Sequence, residues 1–341
     1  MLKPSRGLPG AFRLDNKDRH GRGIAGRATA AVSGRRRPKR TLRRARQAAE
    51  LMAKPRQYLF QRVIKALLPQ DAARHIDRRI RLALCDAAVI SYPKSGRTWL
   101  RAMLSLYFAK IYGTPQDLLI DFANLHNLER RVPRIYFSHE ADYKGPPESV
   151  RIDRRQLRRK KLVFLVRDPR DVIVSLYAHR VHRSRNWEGP IARFVAGEEG
   201  GFATTLRYYR DWSEFLKEHG KALVLRYEDL HGDPAGSFER LLRYLGQPVD
   251  KAALDATVAE TQFAELQKME SEAQFRSTRL NAKEQGNPQA LKVRRGRVGG
   301  FAEDLDAETA SEVGAMMDNE LQGAFGYRAA QNEDETNSAK N

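Results

Sequence analysis

Cysteine is almost absent from this chain of 341 residues: Cys85 is the only one, so no disulfide can close within it and a reducing compartment is expected. Long apolar runs are missing too. Nothing approaches the roughly 20 apolar residues of a membrane-spanning helix, and no signal-peptide core is present, so a cytoplasmic setting is expected. His, Cys, Asp and Glu do not cluster at ligand spacing, which speaks against a metal. Acidic residues are scarce at the start: residues 1–80 hold 22 Lys and Arg against 5 Asp and Glu, while the remainder holds 40 against 37. Most of the formal net charge of +20 therefore belongs to the first quarter, and the other three quarters are nearly neutral.

Residues 1–50 are rich in Arg and Gly and include the run Gly34 to Arg40, a composition expected to stay disordered. Such an arm can meet anionic lipid or nucleic acid through charge alone, and no specific nucleic acid is expected. In residues 51–80, Leu59, Phe60, Val63, Ile64, Leu67 and Leu68 share a helical face flanked by Arg56, Arg62 and Lys65. That pattern predicts a basic amphipathic helix, which either docks on the following domain or, with the arm, places residues 1–68 on an anionic membrane surface. The leader also loosely resembles a transit peptide, and Met52 offers a later translation start. Residues 81–325 suit one α/β domain in size, and residues 326–341 read as a disordered tail.

Within that domain, short apolar runs predict buried strands near residues 87–92, 134–138, 161–166 and 222–227. Helical periodicity follows three of them, so the expectation is a three-layer sandwich with a central parallel sheet and helices on both faces. Ser91-Tyr92-Pro93-Lys94-Ser95-Gly96-Arg97-Thr98-Trp99-Leu100 joins the first strand to a helix. A helix start presents amides without intrahelical partners and the positive end of a dipole, and Gly96 permits close approach of an anion. Lys94 precedes Gly96 and the earlier glycine of a Walker A loop is missing, which disfavours an ordinary nucleotide kinase. The third run ends in Arg167-Asp168-Pro169-Arg170-Asp171, with Asp168 as N-cap, Pro169 at the first helical position and Asp171 as the acid of a capping box. Ser175, two turns along, and Arg167 can converge on one anion. His139, just past the second run, would lie at the sheet's carboxyl edge, where α/β proteins place ligands, and histidine is suited to removing a hydroxyl proton.

These segments resemble the sulfotransferases that use 3′-phosphoadenosine 5′-phosphosulfate (PAPS), over most of residues 81–325 and none of the first 80. The resemblance implies that Lys94, Ser95, Gly96, Arg97, Thr98 and Trp99 form the 5′-phosphosulfate loop, with Trp99 stacking on adenine. It further implies that Arg167 and Ser175 hold the 3′-phosphate, that Tyr227, Thr261 and Phe263 border the nucleotide, and that Arg294, Arg295 and Gly296 belong to a basic loop closing over it. His139 matches the family's base, and Lys94 would stabilise the leaving phosphate without a metal. Departures are Arg97 for a common threonine, Arg295 for lysine, Gly300 and Phe301 for aspartate and tryptophan, and Phe137 for a lysine two residues before the histidine, whose sulfonate contact Arg97 can supply.

The implied reaction is in-line sulfuryl transfer from PAPS to a hydroxyl or amine of a small molecule, glycan or lipid. Segments 113–133, 183–203 and 268–293 are expected to shape the acceptor pocket. Trp187, Phe194, Gly197, Gly201, Tyr208 and Trp212 resemble the family's helical insertion beside it, and Arg276, Arg279 and Lys283 hint at an anionic or glycan acceptor. Competing readings are a kinase of related cradle geometry and a non-enzymatic basic protein that binds membrane or nucleic acid on the same fold.

Overall fold

A computed structural model describes residues 68–141, 143–197, 200–280 and 287–329. The expected arm, the face from Leu59 to Leu67, Met52, Lys283 and residues 330–341 of the tail lie outside the described residues; Tyr327, expected in the disordered tail, is instead fully buried and bonded to Glu228. Four strands, β1 (Ala87–Ser91), β2 (Ile135–Ser138), β3 (Lys161–Val166) and β4 (Leu223–Arg226), form one sheet in the order β2-β1-β3-β4. All three pairings are parallel. Each strand falls within a residue of the apolar run that predicts it, and Tyr227, at the end of the fourth run, opens a helical turn, Tyr227–Gly232.

The longer helices, in chain order, are α1 (Gln70–Leu84), α2 (Arg97–Tyr112), α3 (Pro169–Ala178), α4 (Phe202–His219), α5 (Pro234–Leu245), α6 (Lys251–Glu260), α7 (Phe263–Ser271) and α8 (Ala307–Leu321). Because side chains alternate across a strand, each strand feeds two cores. Ala88, Ile90, Leu162, Phe164 and Val166 face α3, α4 and α8 through Val172, Trp212 and Met317. Ala87, Val89, Val163, Leu165 and Leu225 face α2 and α5 through Leu104, Phe108 and Leu241. The strands are apolar on both faces because both faces are covered, as parallel sheets require.

The start of α3 departs from the capping box. Asp168 caps as expected, its carboxylate accepting from the Arg170 amide at 2.8 Å. Its own amide, however, donates to Glu228 Oε1 at 2.8 Å, and Tyr327 holds the other oxygen of Glu228 at 2.7 Å. With that amide already satisfied, the Asp171 carboxylate is released to bond elsewhere.

Phe164 sits at the centre of the first core, 1% exposed and stacked on Trp212 at 5.1 Å between ring centroids. Phe164→Ala should lower the unfolding free energy by about 3–5 kcal/mol, read as a lower urea midpoint at unchanged slope; a midpoint equal to wild type would contradict this packing.

Candidate functional site

Parallel register gathers the site. Ile90 of β1 lies opposite Ser138 of β2, and Ser91 lies opposite Leu165 of β3. The segments that leave these three strands, beginning at Tyr92, His139 and Arg167, therefore emerge side by side at the carboxyl edge. They meet around a cavity of about 920 Å³.

The turn after β1 runs through two left-handed residues, Lys94 at φ 71° and Gly96 at φ 92°. A Cβ at Gly96 would stand 2.7 Å from Cδ2 of Tyr227, so only glycine fits between that ring and the start of α2. Gly96 caps α2 without a side-chain bond, leaving the first amides for a ligand. Arg167 stands over the same ring: its guanidinium carbon is 4.4 Å from the Tyr227 ring centroid, and Nη1 donates to the Lys94 carbonyl at 3.3 Å. Three buried donors along this wall, Arg97 Nη1, Trp99 Nε1 and Arg167 Nε, have no acceptor. Unmatched buried donors are costly, and an acceptor-rich anion would satisfy them.

Asp171 fastens the basic loop to this wall. Its carboxylate accepts from the Gly299 and Phe301 amides, each at 3.0 Å, and from Arg167 Nη2 at 3.3 Å. Arg167 Nη2 also donates to the Arg297 carbonyl at 2.7 Å. Burial pushes the Asp171 carboxyl up, against the pull of Arg167. Gly296, at φ 62°, lies against Phe263, whose Cδ2 would be 2.1 Å from any Cβ there. Thus Gly300 and Phe301, where the family often has aspartate and tryptophan, still pack: the Arg170 guanidinium stands 4.2 Å over the Phe301 ring. Arg295 is partly neutralised by Asp304 at 2.7 Å.

Positive charges crowd one another. Burial first, then Lys292 and Arg167, lower the Lys94 ammonium to about 7, so it is poised between its two forms near neutrality. Lys292 is lowered to about 8, by burial and then Arg183. His139 is neutral: burial and the Arg97 charge push it down to about 3. Its Nδ1 meets the Ser91 carbonyl at 2.6 Å, which can only accept, so the proton lies on Nδ1. Nε2 is then the acceptor for Arg97 Nη2 at 2.7 Å. Tyr143 packs edge-on to the imidazole at 4.8 Å, and the Tyr208 hydroxyl donates to the His139 carbonyl at 2.6 Å.

Of the residues expected from sequence, Lys94, Gly96, Arg97, Thr98, Trp99, His139, Arg167, Ser175, Tyr227, Phe263, Arg294, Arg295 and Gly296 line this single cavity. Ser95 and Thr261 do not. Ser95 is fully buried beneath the turn, and the Thr261 hydroxyl turns back to the Thr257 carbonyl at 2.8 Å, leaving Gln262 and Phe263 at the wall. No described residue of 113–133 reaches the cavity. Phe194, Tyr208 and Trp212 are core residues, not pocket walls. Arg276 and Arg279 pair outside it with Asp117 and Asp121, at 2.6 and 3.0 Å. Phe137 is buried under the Arg101 guanidinium, 4.1 Å from its ring centroid. Sequence reasoning passed over Tyr143 and Arg180 in the lining and reached Lys292 only as part of the segment 268–293, because no local pattern marks a residue whose importance arises from packing between distant segments.

A family profile described as "Sulfotransferase domain" matches residues 85–325. Among curated proteins, sulfotransferase 1B1 of Mus musculus is 28% identical over 196 residues, covering 52% of this chain and 64% of that protein. Sulfotransferase 1A1 of Bos taurus is 27% identical, covering 54% and 66%. The chain thus spans just under two thirds of the length of these relatives. Amine sulfotransferase of Oryctolagus cuniculus is 23% identical, covering 69% and 80%. Among solved structures, mouse sulfotransferase SULT7A1 complexed with PAP superposes with a TM-score of 0.51 at 19% identity, covering 71% of this chain and 85% of that one. Retinol dehydratase in complex with androsterone and inactive cofactor PAP gives 0.50 at 18%, covering 70% and 80%. These two likenesses are of fold, and they agree with the parallel α/β architecture of this chain.

Arg97→Met should release His139 from a neighbouring charge and raise its pKa from about 3 toward the ordinary 6.5. An NMR titration of the imidazole would show it; an unmoved resonance would mean that Arg97 does not govern this histidine.

Proposed function

The chain belongs to the sulfotransferase domain family, and on that premise we propose that it transfers a sulfuryl group from PAPS to an acceptor hydroxyl or amine. The observation that carries this reading is the set of buried donors without acceptors on Arg97, Trp99 and Arg167, arrayed beside a glycine turn that admits no Cβ. A nucleotide with phosphates at both ends of its ribose supplies acceptors for such donors. Bound PAPS would bring an activated sulfuryl group whose leaving oxygen belongs to the 5′-phosphate.

In this reading, the first amides of α2 and Thr98 hold the 5′-phosphate at the positive end of the helix dipole. Arg167, Ser175 and the loop from Arg294 to Gly296 hold the 3′-phosphate, and Trp99 and Phe263 sandwich the base. Lys94, close to half-protonated near neutral pH without a ligand, becomes fully charged as anions enter beside it, and then stabilises negative charge growing on the leaving oxygen. His139 keeps its proton on Nδ1 through the Ser91 carbonyl and receives the acceptor's proton at Nε2. Arg97 must leave Nε2 for this to happen, which frees a guanidinium for the sulfonate oxygens. Among the described residues no group of His, Cys, Asp and Glu could hold a metal, and no helix is long and apolar enough to cross a membrane.

The direct test tracks transfer of sulfur label from PAPS to a panel of phenols, amines and sugars. Wild type should release adenosine 3′,5′-bisphosphate (PAP) with labelled product, and Lys94→Met should lower kcat on the order of a hundredfold; label transfer from ATP and none from PAPS would refute the assignment. A second measurement addresses Lys94 without turnover. PAP binding at pH 8 should take up about one proton, making the calorimetric enthalpy less exothermic in Tris than in HEPES, and Lys94→Met should remove most of that difference. Equal enthalpies in the two buffers for wild type would contradict the proposed recharging.

A further inference from the structure

The cavity carries more positive charge than a nucleotide can use. Nine Lys and Arg side chains line it against two carboxylates, Asp171 and Asp304, an excess of seven among the described residues. Both carboxylates are engaged, by Arg167 and two amides and by Arg295. A molecule with two phosphate ends brings roughly four negative charges. About three cations are left over, and four lining cations lie outside the segments assigned above to the nucleotide: Lys144, Arg180, Lys292 and Arg297, of which Arg297 pairs with Glu303 at 2.6 Å.

The elements that carry Arg180 and Lys292 are joined by the fold. After α3 the chain enters a π-helical turn, His179–Ser184, a rare geometry that is frequent at functional sites. Arg183 of that turn forms an ion pair with Glu270 of α7 at 2.9 Å, with 2% and 0% of the side chains exposed, and donates to the Ala290 carbonyl at 2.7 Å. The same Glu270 carboxylate accepts from the amides of Lys292 and Val293, each at 2.9 Å. One buried ion pair therefore fixes both elements that carry these cations. Arg180 borders the histidine end: a Cβ at Gly200 would meet Arg180 Nη2 at 2.9 Å and the Tyr143 carbonyl at 3.2 Å, and the Tyr143 ring contacts His139. Lys292 borders the Lys94 end, where its charge is the largest electrostatic influence on Lys94 after burial. Neither Arg180 nor Lys292 has a carboxylate within ion-pair reach among the described residues, whereas Arg183, Arg279 and Arg295 do; the Lys292 ammonium donates to the Arg279 carbonyl, which leaves its charge unneutralised.

We propose that Arg180 and Lys292 form an anion subsite beside His139, so that the acceptor is a hydroxyl compound bearing a carboxylate or sulfate near the reacting group. This rests on the sulfuryl-transfer reading and names its acceptor class. An acceptor of this kind neutralises the surplus that the nucleotide leaves, while a neutral phenol or steroid would leave half-buried cations uncompensated. Such a subsite orients the acceptor as well as attracting it, since Arg180 offers a planar fork of donors.

The test uses the full chain saturated with PAP and three matched pairs of probes, with affinities measured by calorimetry. The pairs are 4-nitrophenyl β-D-glucuronide and glucoside, 4-nitrophenyl N-acetyl-β-D-glucosaminide with and without a 6-sulfate, and 4-hydroxyphenylacetate and its amide. In at least one pair the anionic member should bind at least tenfold tighter, and which pair does so separates carboxylate from sulfate. The double substitution Arg180→Gln with Lys292→Gln should bring that ratio within threefold, while Arg180→Lys should retain most of it; circular dichroism melts of each variant verify folding. The inference fails if neutral members bind as well or better in every pair, if none of the six binds, or if the preference survives the double substitution. Failure of wild type to bind PAP would overturn the sulfuryl-transfer reading itself, and the subsite with it.

Discussion

The carboxylate of Asp171 joins the parts of this molecule that its cavity needs. It is buried, and burial alone would favour its neutral form. Two amides of the segment after the basic loop and the guanidinium of Arg167 supply the compensation. An ion taken out of water costs several kcal/mol unless bonds of this quality meet it. Removing Asp171 would therefore do more than delete a contact: it would free residues 294–301 from α3 and let Arg167 turn away from Lys94 and Tyr227. The wall that presents Arg167 depends on a residue whose own chemistry is structural.

Around that anchor the fold concentrates charge it does not neutralise. Buried donors on Arg97, Trp99 and Arg167 lack acceptors, and the ammonium groups of Lys94 and Lys292 repel each other. Between about pH 7 and 10.5 the anion-free folded state binds fewer protons at Lys94 than the unfolded chain does. Stability contributed by this group therefore rises with pH across that window and is lowest below it. An anionic ligand removes the penalty, so the energy stored in crowding becomes binding energy. A site built this way is empty at a cost and filled at a gain, and binding reaches it through electrostatics rather than through shape alone.

Much of this could be seen in the residues alone. Four apolar runs located four strands, and because parallel strands end at the same edge, the cradle, His139 and Arg167 had to meet there. Local chemistry was legible wherever a motif spans a few residues, as with Lys94 to Trp99. It failed where function depends on what a side chain finds in space. Asp171 sits in the position of a capping acid, yet Glu228, in a distant segment, satisfies that amide and releases Asp171 for the basic loop. Thr261 neighbours residues that line the cavity but follows helical geometry back to Thr257. Lys292 and Arg180 carry no signature, since their proximity is created by the buried pair Arg183 and Glu270. Arg276 and Arg279 hint at an anionic acceptor in the sequence, but in space they pair with Asp117 and Asp121.

The central claim is that one adenosine nucleotide spans the glycine turn and Arg167, with a phosphate at each. A crystal structure of the chain soaked in PAP addresses this most directly. The expected density places the 5′-phosphate against the amides that open α2 after Gly96 and the 3′-phosphate within hydrogen-bond distance of Arg167 and Ser175, with Arg167 Nε no longer orphaned. Nucleotide density at another surface, or both phosphates remote from Arg167, would contradict it.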